Sequence, residues 1–109
     1  MAYDEGLAQR IRDAVGDRAE IAEKKMFGGL CVLWRGSMVA GITGEILMAR
    51  VGPDFNDEAL RRPHARPMDF TGKPMKGFVY VEPEGVESDA DLQRWVGHGV
   101  SHARSLPGK

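Results

Sequence analysis

Leu30-Cys31-Val32-Leu33-Trp34-Arg35-Gly36-Ser37-Met38-Val39-Ala40-Gly41-Ile42-Thr43-Gly44-Glu45-Ile46-Leu47-Met48-Ala49-Arg50-Val51 is the stretch that decides the fold. Short runs of Val, Ile, Leu and Met are broken at Arg35-Gly36 and at Thr43-Gly44-Glu45, the pattern of strands joined by tight turns in an antiparallel meander. Both faces of Leu30 to Trp34 and of Ile46 to Val51 are largely apolar, so these strands need cover on both sides or a dimer contact on the outer one. The β pattern begins near Ala19, where charged Glu23 and Lys25 follow Ile21 and leave one face wet. Gly28-Gly29 then turns the chain.

Outward from the meander the pattern becomes helical. Tyr3, Leu7, Ile11 and Val15 recur every four residues with Ala8 and Ala14 beside them, which predicts a helix ending at Val15 or Gly16. After Val51, Gly52-Pro53 breaks the sheet and Asp54 is the expected N-cap of a short helix from Phe55 to Arg61, stopped by Pro63. The segment from Pro63 to Gly77 is expected to be mainly loop with a brief strand at Met68 to Phe70, and Phe78 to Val81 is a strand by its β-branched and aromatic content. Ser88 and Asp91 form a variant capping box for a last helix whose inner face carries Leu92, Trp95, Val96, Val100 and Ala103. Gly99 also faces inward there, and a close backbone approach would explain it; Pro107 closes the structure.

The expected order is α-β(3-4)-α-β(1-2)-α, a two-layer α+β domain with helices on one face of a mainly antiparallel sheet. A chain of 109 residues has the size of one domain, residues 1–109, and folding would hide roughly two-thirds of its unfolded surface. Apolar residues at 42% and charged residues at 28% exclude fibrous and disordered classes. The lone Cys31 sits in an apolar run and suits a reducing cytoplasm, and neither an export signal nor a spanning apolar stretch is visible. No cofactor is expected, and no membrane contact.

Five separate stretches, Tyr3-Asp4-Glu5, Lys24-Lys25-Met26-Phe27-Gly28-Gly29, Leu47-Met48-Ala49-Arg50-Val51-Gly52-Pro53, Arg66-Pro67-Met68-Asp69-Phe70 and Arg104-Ser105-Leu106-Pro107, together resemble the N-terminal domain of the TfoX/Sxy family. The resemblance covers nearly the whole chain. It implies the TfoX N-terminal fold, similar to secretion-chaperone-like α+β architecture, and an association with regulators of bacterial competence. Larger members of that family carry a helical C-terminal domain, and this chain is expected to be a stand-alone N-terminal one. No catalytic residue comes with the resemblance.

The overall charge of −1 lacks the footprint of a dedicated nucleic-acid binder. Locally, Arg61, Arg62, Arg66, Lys73 and Lys76 face only Asp69, a balance of +4 that leaves −5 for the rest. Guanidinium forks and exposed amides around Gly72 and Gly77 could gather on a phosphate or carboxylate, although Gly72-Lys73-Pro74 is no P-loop. The plain alternative is a solvated charged loop. Lys24, Lys25, Met26, Phe27, Gly28 and Gly29 are candidates for an interaction edge, with a strand and a glycine turn as the preferred structural explanation. His98 and His102 lie four apart with Asp91 seven residues before His98, a spacing that could hold a metal, but the neighbouring Glu of a His-Glu-x-x-His site is missing. Cys31 has no adjacent base.

The expected function is therefore a non-catalytic regulatory or protein-interaction module, a homodimer with a protein partner. The alternative is an anionic small-ligand or nucleic-acid phosphate binder using Arg61 to Lys76.

Overall fold

Asp4 begins the first helix by accepting the Gly6 amide on its side-chain Oδ1 at 2.9 Å and the Leu7 amide at 3.4 Å. These satisfy donors that a helix start leaves orphaned. Helix α1 runs Glu5–Val15, buries Leu7, Ala8, Ile11 and Val15, and stops at Gly16 with φ of 80°. The computed structural model describes residues 3–16, 21–26, 28–69, 72 and 76–105, without the Met26 side chain. Phe27, Phe70, Lys73 and Pro107 of the sequence expectations lie outside the described residues.

The meander follows as expected: β1 Ile21–Met26, β2 Gly29–Trp34, β3 Ser37–Thr43 and β4 Ile46–Arg50. Arg35 and Gly36 both take positive φ, 54° and 81°, the backbone that matches a two-residue hairpin turn to the strand twist. Gly28 turns at φ 74°, whereas Gly29 is glycine for another reason. A Cβ there would run into the Ile42 carbonyl oxygen.

Beyond β4 the structure departs from the sequence expectation at two points. Pro53–Phe55 forms a 3-10 turn that leads into α2, Asn56–Leu60, and Asp54 makes no side-chain cap. Proline at the start, with no N–H to leave unpaired, opens this turn instead. The brief strand is β5 at Ala65–Pro67, not Met68 to Phe70. It pairs with β6, Phe78–Val81, through Ala65↔Val81, Arg66↔Tyr80 and Pro67↔Val79, because the turn at Pro63-His64 delivers the chain to the sheet edge there. A second 3-10 turn, Pro83–Val86, precedes α3, Asp89–Ser105, and Ser88 Oγ accepts the Asp91 amide at 3.1 Å as the capping box requires.

All six strands join one antiparallel sheet in the order β1-β2-β3-β4-β6-β5. Helices α1 and α3 cover one face, over Leu30, Val32, Val39, Ile42, Leu47, Ala49, Val79 and Val81. The other face carries a second buried cluster, Cys31, Met38, Met48, Met68 and Tyr80. Met68 follows β5 and packs into that cluster, so the centre of the outer face is covered while Leu33, Ile46 and Phe78 around it stay partly exposed. Strand β1, at the edge, exposes Ala22, Glu23, Lys24 and Lys25, so both its faces are wet rather than one.

A β-bulge reconciles these two layers. Val32 pairs with Ala40 but Leu33 pairs with Met38, so Val39 is an extra residue and side-chain alternation reverses across it. Val39 and Ala40 join the helix-side core while Met38 reaches the outer cluster. Helix α3 sits on this bulge: a Cβ on Gly99 would collide with the Val39 carbonyl oxygen. Gly97, two residues earlier, has nothing within 4 Å of its would-be Cβ. Chemical denaturation should therefore separate the two. Gly99→Ala should lose about 2 kcal/mol or more through overpacking, and Gly97→Ala should gain up to about 1 kcal/mol through helix propensity; equal effects would contradict the contact.

Helix α1 is fastened from both ends of the layer. Arg10 donates to the Val86 carbonyl at 2.8 Å and pairs with Asp89 at 3.1 Å. Arg12 pairs with Glu23 of β1 at 2.6 Å, and that hydrogen bond holds the Glu23 carboxyl below its ordinary value. A lowered carboxyl contributes stability above its unfolded pKa and loses it as pH falls through the folded one. Both groups are about one-third exposed, so Glu23→Gln should cost about 0.2–1 kcal/mol at neutral pH. In a pH series of denaturation curves, that gap should close through the acid end of the carboxylate range.

Candidate functional site

The chain leaves α2 through a turn whose sequence sets up a cleft. Arg62 to Ala65 closes on an Ala65 N–H to Arg62 carbonyl bond of 3.3 Å, with Pro63 second and His64 third at φ 67°. Proline followed by positive φ is the type II pattern, in which glycine or asparagine normally holds the third place. The Glu82 amide donates to the His64 carbonyl at 2.9 Å and fixes the turn against the 3-10 turn at Pro83–Val86. The opposite wall is α3. Between them lies a cavity of about 310 Å³ lined by Phe55, Arg62, Pro63, His64, Glu84, Gly85, Asp91, Arg94, Trp95 and His98.

Its floor is aromatic. Phe55 and His98 stack with ring centres 4.0 Å apart and planes at 22°, and the Arg62 guanidinium lies 5.6 Å from the Phe55 ring centre. Trp95 contributes a side chain that is 7% exposed. Arg62 has Glu58 at 3.9 Å, and Arg94 has Asp91 at 3.5 Å. Glu84, on the rim, is exposed.

Burial pushes the His98 imidazole below its ordinary pKa, and the Arg62 charge pushes it further, against an opposing pull from Glu58. His102, one turn on, is lowered by burial and Arg50, with Asp54 opposing; it lines a neighbouring cavity of about 300 Å³ with Gly52, Asp54 and Ser101. Both imidazoles favour the neutral form in the folded chain. Their contribution to stability is therefore present above the unfolded imidazole pKa and lost as pH falls through the folded one.

The basic segment is dispersed. Arg62 enters the cleft, but Arg66 lies on β5 at the far edge, paired with Glu82 at 2.6 Å and 4.8 Å over the Tyr80 ring on the outer face. Arg61 and Lys76 are exposed, and neither lines the cleft. On the opposite edge, Lys24 and Lys25 point from β1 to either face of the sheet, since they oppose Cys31 and Leu30. Lysines so placed also discourage strand-to-strand association. Among the described residues no group of three His, Cys, Asp or Glu could hold a metal ion.

Phe55, His64, Glu84, Arg94 and Trp95 line the cleft without belonging to any motif in the sequence. Arg94 alone carried a signal, falling at i+3 on the stripe that links Asp91 to His98. Cys31 is fully buried, and burial pushes its thiol up to about 11, which suppresses the nucleophilic thiolate.

A six-stranded antiparallel sheet with two long helices on one face defines an α+β domain, and no helix among the described residues is long and apolar enough to cross a membrane. The TfoX N-terminal domain family matches residues 13–103. The chain belongs to that family, which supports a regulatory-domain kind of function. No curated protein and no solved structure matches it.

Removing the Arg62 charge should let the imidazole take up its proton more easily. In an NMR titration, Arg62→Ala should raise the His98 pKa and leave that of His102, which answers to Arg50, nearly unmoved.

Proposed function

We propose that this chain is a non-catalytic, cytoplasmic regulatory module that acts through protein contacts as a homodimer, in the manner of the N-terminal domain of TfoX-type competence regulators. The observation that carries this reading is the outer face of the sheet. Leu33, Ile46 and Phe78 remain only partly buried around the Cys31, Met38, Met48, Met68 and Tyr80 cluster, with Arg50 5.4 Å over the Phe78 ring and Arg66 over Tyr80. An apolar centre rimmed by arginines has the composition of a protein interface. Family membership supports the regulatory part. The buried, protonated Cys31 thiol supports the non-catalytic part.

Size-exclusion chromatography with light scattering at high micromolar concentration should give the mass of a dimer. Ile46→Arg, on the outer face, should shift it to monomer with the circular dichroism spectrum unchanged. A strict monomer in the parent chain would overturn the homodimer.

A further inference from the structure

The cleft between the Arg62–Ala65 turn and α3 has features that the outer-face interface does not use. At about 310 Å³ it stands at the small end of ligand pockets, roughly 300–1,000 Å³, a size for a single small metabolite rather than a dinucleotide. Its lining carries two guanidiniums, Arg62 and Arg94, and two carboxylates, Glu84 and Asp91. A polyanion would meet as much repulsion as attraction there. A neutral apolar ligand would strip water from four charged groups and return nothing. A molecule with both charges satisfies each wall, and a planar ring satisfies the Phe55, His98 and Trp95 floor.

We propose that this cleft binds a free α-amino acid with an aromatic side chain, its carboxylate against Arg62, its ammonium against Glu84 and Asp91, and its ring on the stacked Phe55 and His98. Two observations besides the cavity support the site. Among the described residues the Arg62 guanidinium meets Glu58 at 3.9 Å and the Phe55 ring face at 5.6 Å, contacts that leave N–H donors on its edge for a bidentate carboxylate. His64 is held at the rim with φ 67°, a backbone region unfavourable to non-glycine residues whose occupancy often accompanies ligand clamps.

Binding would also be reported by the imidazole on the floor. The charged groups facing His98 are Arg62 and Glu58 from the α2 side, Glu84 from the 3-10 turn, and Asp91 and Arg94 on its own helix, with His64 across the cleft. A bound carboxylate against Arg62 offsets the charge that disfavours the imidazolium, so the His98 pKa should rise on saturation.

The test is an NMR titration of the isotope-labelled full chain with L-phenylalanine, 3-phenylpropionate, phenethylamine and L-alanine, which lack in turn nothing, the ammonium, the carboxylate and the ring. Saturable shifts at Arg94, Trp95 and His98 are expected with L-phenylalanine, and at least tenfold weaker binding with each of the other three. Arg62→Gln and Glu84→Gln, both substitutions at solvent-accessible side chains, should each weaken L-phenylalanine binding by tenfold or more while spectra outside the cleft stay unchanged. Three results would each overturn the proposal: no saturable shift at millimolar concentration, 3-phenylpropionate binding as well as L-phenylalanine, or both variants binding like the parent. A monomeric parent chain would leave this outcome unaffected, since the cleft lies within one chain.

Discussion

The contact between Gly99 and the Val39 carbonyl oxygen sets where everything else on the helical face can go. A helix normally stands off a sheet by the length of its side chains. Here α3 has no side chain at the crossing point, and the bulge in β3 is where the two backbones meet. That close approach buries Trp95 and Val96 before the contact and Val100 and Ala103 after it. It also fixes the angular position of the helix, and so turns Asp91, Arg94 and His98 toward the α2 side. The cleft is a consequence of that rotation.

The bulge serves the outer layer as well. Were β3 regular, with Val39 taking its turn in the alternation, Met38 would share a face with Ala40 and Ile42 and press into the helices. With the bulge, Met38 joins Cys31, Met48, Met68 and Tyr80 on the outer face. Gly41 lies beneath that cluster, where a Cβ would stand 3.0 Å from both Cys31 Sγ and Met48 Cε. Three flexible methionines and a small thiol can fill such an irregular space without a second helical layer. The sheet thus has two dissimilar cores, one ordered by helices and one assembled from adaptable side chains under Met68.

Much of this architecture was legible because it is local. Hairpin turns declare themselves through Arg35-Gly36 and Gly28-Gly29, the capping box through Ser88 and Asp91, and the inner face of α3 through its spacing. Gly99 was legible too, since a glycine on a buried helical face needs a reason. The bulge was not, because Met38-Val39-Ala40 is apolar whichever way the residues point. Strand β5 was not, because Ala65-Arg66-Pro67 has little β preference of its own and becomes a strand only when a turn sets it beside β6. Asp54 looked like a cap by residue type, but the proline before it already starts the turn.

The candidate site shows the same division more sharply. Counting cations along the chain grouped Arg61, Arg62, Arg66, Lys73 and Lys76, yet a strand edge lies between Arg62 and Arg66 and sends them to opposite faces of the sheet. What assembles at the cleft instead comes from segments far apart in sequence: Phe55 and Arg62 around α2, Glu84 on a 3-10 turn, and Asp91, Arg94 and His98 on α3. Proximity in sequence measures charge density, which governs solubility and long-range attraction. Recognition depends on which charges share one wall, and here the wall carries both signs. A ligand of the cleft would therefore be selected by the arrangement of these charges, and the basic segment contributes to it through Arg62 alone among its described members.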